Sequence, residues 1–219
     1  MDKNLIFQDS GDLADLAKYL ERAYRLDKAG ASKVRAFGKV LAIYVSPIYS
    51  GSMLGDGLTV IGLRTINLAR EAELDLLFTI EDLLAKVNQA IAAEVLEVSL
   101  PTTTTRVSWA GISPPRQGWQ LTGEIEQQTI SQWAKDGIAE VAQALPESVG
   151  SAIAARVRLQ IWGKAVGIEH NLPAGAAFAM AGLGFMQKDV PVKVYRAHGW
   201  IRLTTDFGHV ISKESFKFS

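Results

Sequence analysis

The chain has 219 residues, 23 Lys+Arg against 23 Asp+Glu, three His and no Cys, with 48% apolar and 21% charged residues. That balance fits an ordinary globular protein, as one large domain or two small ones, with a core big enough to need no staples. The absence of cysteine excludes disulfides, thiolate catalysis, Cys-ligated zinc and iron–sulfur clusters.

Zero net charge argues against nucleic acid as a partner, because such binding is driven by phosphate neutralisation. The first hundred residues carry a small acidic excess and the remainder a matching basic one, with six of its cations after Met186. The N-terminus meets an acid at Asp2 and has no long apolar run, so it does not read as a signal peptide. No apolar stretch approaches a membrane span. The expected compartment is the cytoplasm, with no membrane partner.

In chain order, Asp9-Ser10-Gly11-Asp12 supplies N-cap candidates and first-turn acids. Leu13, Leu16, Ala17, Leu20 and Tyr24 then recur at helical spacing, predicting an amphipathic helix over about 11–27. Residues 32–45 are rich in β-branched and aromatic types and predict one or two strands bent near Gly38. A Gly-rich loop follows from Pro47 to Gly57, then a strand over 58–68. Leu74–Ile80 reads as a strand running into a helix over 81–92.

Leu100-Pro101-Thr102-Thr103-Thr104-Thr105 is the candidate linker, so the boundary is placed at 101–106 between a first part, 1–100, and a second, 107–219. In the second, Gly123–Leu145 has helical periodicity and stops at Pro146. Glu147–Val166 predicts another helix, although 157–162 also fits a strand. Pro173–Phe185 predicts a buried helix of small residues, packed in the core or along a dimer seam. Three short strands, 191–195, 200–204 and 209–212, close the chain. The expected fold class is α+β: an N-terminal helix plus antiparallel β-meander, then a helical region closing with short antiparallel strands.

The densest segment is Ser108-Trp109-Ala110-Gly111-Ile112-Ser113-Pro114-Pro115-Arg116-Gln117-Gly118-Trp119. Pro114 and Pro115 hold an extended backbone between two indoles. Trp109 and Trp119 could stack on a planar or apolar group while Arg116 clamps a carboxylate or phosphate. The structural alternative is that the rings plug the seam between the two parts and Arg116 stacks on an indole.

The run from Trp109 to Trp119 resembles a family of actinobacterial proteins of unknown function. So do Pro173-Ala174-Gly175-Ala176-Ala177-Phe178-Ala179 with Leu183-Gly184-Phe185, and Trp200-Ile201-Arg202-Leu203-Thr204-Thr205 with Gly208-His209-Val210. The resemblance covers the second half only. It implies a bacterial origin and transfers no catalytic residue.

A second cluster lies at the C-terminus: His198, Trp200, Arg202, Asp206 and His209. On alternating strands Trp200 and Arg202 share a face. His198 and His209 could meet across a hairpin with Asp206 as a third ligand, but Asp206-Phe207-Gly208 also reads as a simple turn. Gly51–Gly57 lacks the Gly-Lys-Ser/Thr ending of a phosphate loop, and no nucleophile elbow or kinase motif set is present.

With no catalytic signature, the reading is a non-catalytic binding or protein-interaction protein using the Trp109–Trp119 loop and the C-terminal hairpin. Its partner is a protein or a small anionic ligand, and a homodimer is an open alternative. No cofactor and no metal are expected. The alternative is an enzyme in which Arg116 or Arg202 orients a small anionic substrate and His198 or His209 shuttles the proton.

Overall fold

The computed structural model describes residues 4–51, 57–145, 150–167 and 169–213. The chain forms two compact units, Met1–Pro47 with Leu63–Ala110, and Ile48–Gly62 with Gly111–Ser219. The fold is α+β.

In the first unit, β1 (Asn4–Ile6) leads into α1 (Ser10–Leu26). Asp9 caps the helix, its Oδ1 accepting the Asp12 N–H at 2.9 Å. Leu13, Leu16, Leu20 and Ala23 form its buried face, so the helix read at 11–27 is present within a residue at each end. Asp9→Ala removes an acceptor for one of the unpaired first-turn donors. It is expected to cost about 1 kcal/mol, read as a lower urea midpoint at unchanged slope.

β2 (Ala31–Tyr49) is a single strand of 19 residues, with Gly38 at φ +58° taking the bend that the sequence suggested. β3 (Thr59–Thr79) runs for 21 residues into α2 (Ile80–Ala92), whose cap is Thr79: its Oγ1 accepts from the Asp82 N–H at 3.0 Å. α2 packs against α1. The short β4 (Glu97–Ser99) pairs antiparallel with β1, setting Leu5 opposite Val98, both buried. The loop expected from Pro47 begins later, because Pro47–Tyr49 continue β2; its residues 52–56 lie outside the described ones. Residues 101–107 have no helix or strand, and the Thr105 N–H donates to the Leu77 carbonyl at 2.9 Å.

The second unit contains β5 (Gln120–Ile125), α3 (Gln127–Ala144) and α4 (Ser151–Gly163). A two-stranded pair, β6 (Ala165–Val166) and β7 (Leu172–Pro173), precedes α5 (Ala174–Gly182). The meander β8 (Val192–Ala197), β9 (Trp200–Thr205) and β10 (Gly208–Lys213) follows. The six-stranded sheet has the order β2-β3-β10-β9-β8-β5.

One detail of the sequence reading changes here, and two alternatives it left open are decided. Gly123–Ile125 are strand rather than the start of a helix, because they pair antiparallel with β8 across a bulge between Leu121 and Gly123. Residues 157–162 are helical, in α4; the residues expected to begin that helix, 147–149, and the stop at Pro146 lie outside the described ones. The small-residue run is core: Ala176, Ala177 and Ala179 have no exposed surface. Within this core Trp162 stacks on Phe178 at 4.5 Å between ring centroids.

Candidate functional site

The site stands on the β8–β9–β10 meander, and its geometry follows from strand alternation. Val194, Ile201, Leu203 and Val210 point to the core face and are all but fully buried. Their neighbours lie on the opposite face, where Ala197, Trp200 and Ile211 are also buried and Tyr195, Arg202 and Lys213 are half-buried. Register sets Tyr195 opposite Arg202 and Ala197 opposite Trp200 between β8 and β9. Between β9 and β10 it sets Ile211 opposite Arg202 and Lys213 opposite Trp200. Trp200 and Arg202 therefore share a face, as alternation predicts.

Arg202 lies over two aromatic rings. Its guanidinium carbon is 4.6 Å from the Tyr195 centroid and 4.7 Å from that of Trp119. The indole is held by its own loop, since the Trp119 Nε1–H donates to the Pro115 carbonyl at 2.9 Å. Gly118, at φ +81°, turns the chain between them. A planar, weakly hydrated guanidinium suits such stacking, and each contact is worth about 0.5–2 kcal/mol. Burial lowers the pKa of Arg202 from its ordinary value, while Tyr195 works the other way. The cation has thus lost part of its water. Its Nε is buried and has no hydrogen-bond partner among the described residues. Beside it the Lys213 ammonium lies 5.9 Å from the Trp200 ring centroid.

The remaining predicted residues divide. Pro114 and Pro115 are half-buried and Arg116 is exposed, so Arg202 and not Arg116 is the cation on the indole. Trp109 is only 3% exposed, in a short 3-10 turn (Ser108–Gly111) of the first unit. Next to it, the Ala110 carbonyl accepts from Lys33 Nζ at 3.4 Å, and Lys33 also pairs with Asp75 at 3.4 Å. Trp109 is a core residue and presents no ring to a ligand.

His198 and Gly199, at φ +48° and +75°, form the two-residue turn between β8 and β9. His198 is exposed and adjoins the aromatic loop: its Nε2 lies 3.6 Å from where a Cβ on residue 118 would stand. His209 sits opposite Thr204, its Nδ1 3.1 Å from Thr204 Oγ1. The length of β9 separates the two histidines, on the order of 15 Å at ordinary strand rise. They do not meet across a hairpin, and the ligand set weighed with Asp206 does not assemble. Among the described residues no group of three or more His, Asp or Glu is placed to hold a metal.

Tyr195 and Lys213 complete the face and were missed in the sequence. The signal was available in part, because Lys193 and Tyr195 alternate as Trp200 and Arg202 do. Only the pairing register shows that Tyr195 and Arg202 are neighbours.

Two grooves of about 300 Å³ each lie in the first unit, both lined in part by Val95. None of the predicted site residues lines either one.

No helix among the described residues is long and apolar enough to cross a membrane. No curated protein matches the chain. The DNA polymerase III subunit beta from Pseudomonas aeruginosa is similar at a TM-score of 0.48 and 12% identity, over 99% of this chain and 66% of that one. Two family models match, each described as a domain of unknown function: DUF8010 over residues 1–111 and DUF8185 over residues 114–217. The chain belongs to the DUF8010 family, with a DUF8185 domain following in the same sequence.

Proposed function

We propose that this chain is a non-catalytic protein-interaction protein whose partner is engaged by the half-buried cluster of Trp119, Tyr195 and Arg202. The observation that carries the reading is the guanidinium set over the Trp119 and Tyr195 rings on a hydrogen-bonded meander. Trp, Tyr and Arg dominate the energetics of protein interfaces, and a preorganised cluster of them loses little entropy on binding. The surface is narrower than the loop-plus-hairpin face suggested by the sequence, since Trp109 is buried. A linker at 101–106, cytoplasmic location and actinobacterial origin belong to the same proposal; the change of family model between residues 111 and 114 supports a nearby boundary.

The test is Trp119→Ala. Native mass spectrometry of gently purified wild-type protein should show a complex heavier than the 23.8 kDa chain. The variant should keep the wild-type circular dichroism spectrum and appear without the partner. A folded variant that retains its partner would overturn the reading.

A further inference from the structure

We infer that the groove at the end of α2 in the first unit docks the exposed start of α4 from a second copy of this chain, with Ile153 on the apolar patch and Arg156 against Glu94. This contact is separate from the interaction surface proposed above and does not depend on it.

Helix α2 ends in a Schellman turn, in which the Val95 N–H donates to the Ala90 carbonyl at 3.1 Å and the Glu94 N–H to the Ile91 carbonyl at 3.0 Å. The left-handed position of that turn, at φ +55°, is held by Glu94, where glycine is the unstrained choice. The residue after it commonly packs back onto the helix, yet Val95 is 45% exposed, with Ile91 and Leu96 exposed beside it. These three side chains and Glu94 line one of the two grooves, against Ser10 and Leu13 of α1. A carboxylate is thus kept, at the cost of backbone strain, beside an apolar patch open to solvent.

The charge at this end of α2 asks for a cation. The second groove adds Glu97, while its Lys86 ammonium donates to Gln89 Oε1 at 3.4 Å. The last turn of α2 carries no basic residue, so the negative end of the helix dipole has no cation of its own helix beside it.

Helix α4 has the complementary make-up. It contains Arg156 and Arg158, both exposed, and no acidic residue, and its first turn has no side-chain cap. Ile153 is 62% exposed and stands one turn before Arg156 on the same side of the helix. Laid on the groove, Ile153 covers Val95 and Ile91, and the positive start of α4 and Arg156 meet Glu94. The small acidic excess of the first hundred residues and the basic excess of the remainder favour the same pairing.

Each copy offers one groove and one α4, so the contact is heterologous and association continues past a dimer unless it closes into a ring. One helix end on a groove buries less than about 1,200 Å², the low end for protein contacts, so the self-association is weak and concentration-dependent.

The experiment is sedimentation equilibrium on the full chain over a range of concentrations. The weight-average mass should rise above 23.8 kDa with concentration and fall back as salt is added. Ile153→Ser, at an exposed position, should weaken association by at least about tenfold, the scale of burying one such side chain. Glu94→Arg and Arg156→Glu should each weaken it by about fivefold, and a chain carrying both should recover most of the loss, because the two charges have changed places. Glu94→Gly relieves the strained turn, so it should melt no lower than wild type and yet associate more weakly; it carries the test if the charge reversals disturb the fold. A mass of one chain at every concentration, association indifferent to Ile153→Ser and Glu94→Gly, or no recovery in the double variant would each overturn the inference. So would a chain that stays monomeric and whose Glu94→Arg variant releases a different protein, which would assign the groove to that partner. Trp119→Ala should leave self-association intact; if it alone abolishes it, the contact lies at the Trp119 surface and the groove proposal falls.

Discussion

Truncation of Trp109 to alanine is expected to destabilise the protein by about 3–5 kcal/mol, the usual cost of emptying a large aromatic site in a packed core. Trp109 is 3% exposed and sits on the short turn whose next residue is tied to Lys33. Solvent cannot refill that space on good terms, and the neighbouring chain relaxes only partly. Equilibrium urea unfolding reads the effect as a lower midpoint. A loss below about 1 kcal/mol would mean that the ring is not packed as described. Trp119→Ala is expected to behave differently, retaining the fold while losing the partner. Two tryptophans ten residues apart in one Pro-rich segment thus have separate roles, and a double substitution would mix them.

The second large effect is expected at Gly208→Ala. Gly208 opens β10 at φ +151°, a conformation that side chains rarely adopt. A Cβ there would come within 2.5–2.8 Å of three atoms of the Phe185 ring. Phe185 is itself 2% exposed and cannot swing into solvent without opening the core. Backbone strain and overpacking together are expected to cost about 3 kcal/mol. The variant should therefore unfold at a clearly lower temperature, and any folded fraction should hold β10 less firmly against β9. A melting temperature within a degree or two of wild type would contradict this packing.

What was legible in the sequence was local. Helix α1 could be read from its cap and apolar spacing, because both signals lie within one short window. The C-terminal strands showed as β-branched runs punctuated by His198-Gly199 and Asp206-Phe207-Gly208. What was not legible depends on pairing between distant segments. β5 carries Ile125 in phase with the apolar stripe of α3, so periodicity extended the helix backwards; only its ladder with β8 makes it a strand. β1 and β4 are three residues each, too short to show alternation.

The candidate site followed the same rule. Trp119 was identifiable by type, and Trp200 and Arg202 also by their shared strand face. Choosing Arg202 over Arg116 as the stacked cation required knowing that the loop before β5 reaches β9. Nothing local distinguishes Trp109 from Trp119, since burial is decided by what the rest of the chain packs around each ring. The two histidines looked close because they are eleven positions apart, yet β9 runs its full length between them.

The most direct test of the interaction surface uses the five tryptophans as internal reporters. Each indole N–H gives its own resonance in a nitrogen–proton correlation spectrum, assignable by Trp→Phe substitution one residue at a time. Addition of the co-purifying partner is expected to move the signal of Trp119, whose N–H bonds to the Pro115 carbonyl. The signals of Trp109 and Trp162, both in the core, should stay in place. Shifts at Trp109 or Trp162 with none at Trp119, or an unchanged spectrum at saturating partner, would contradict the account.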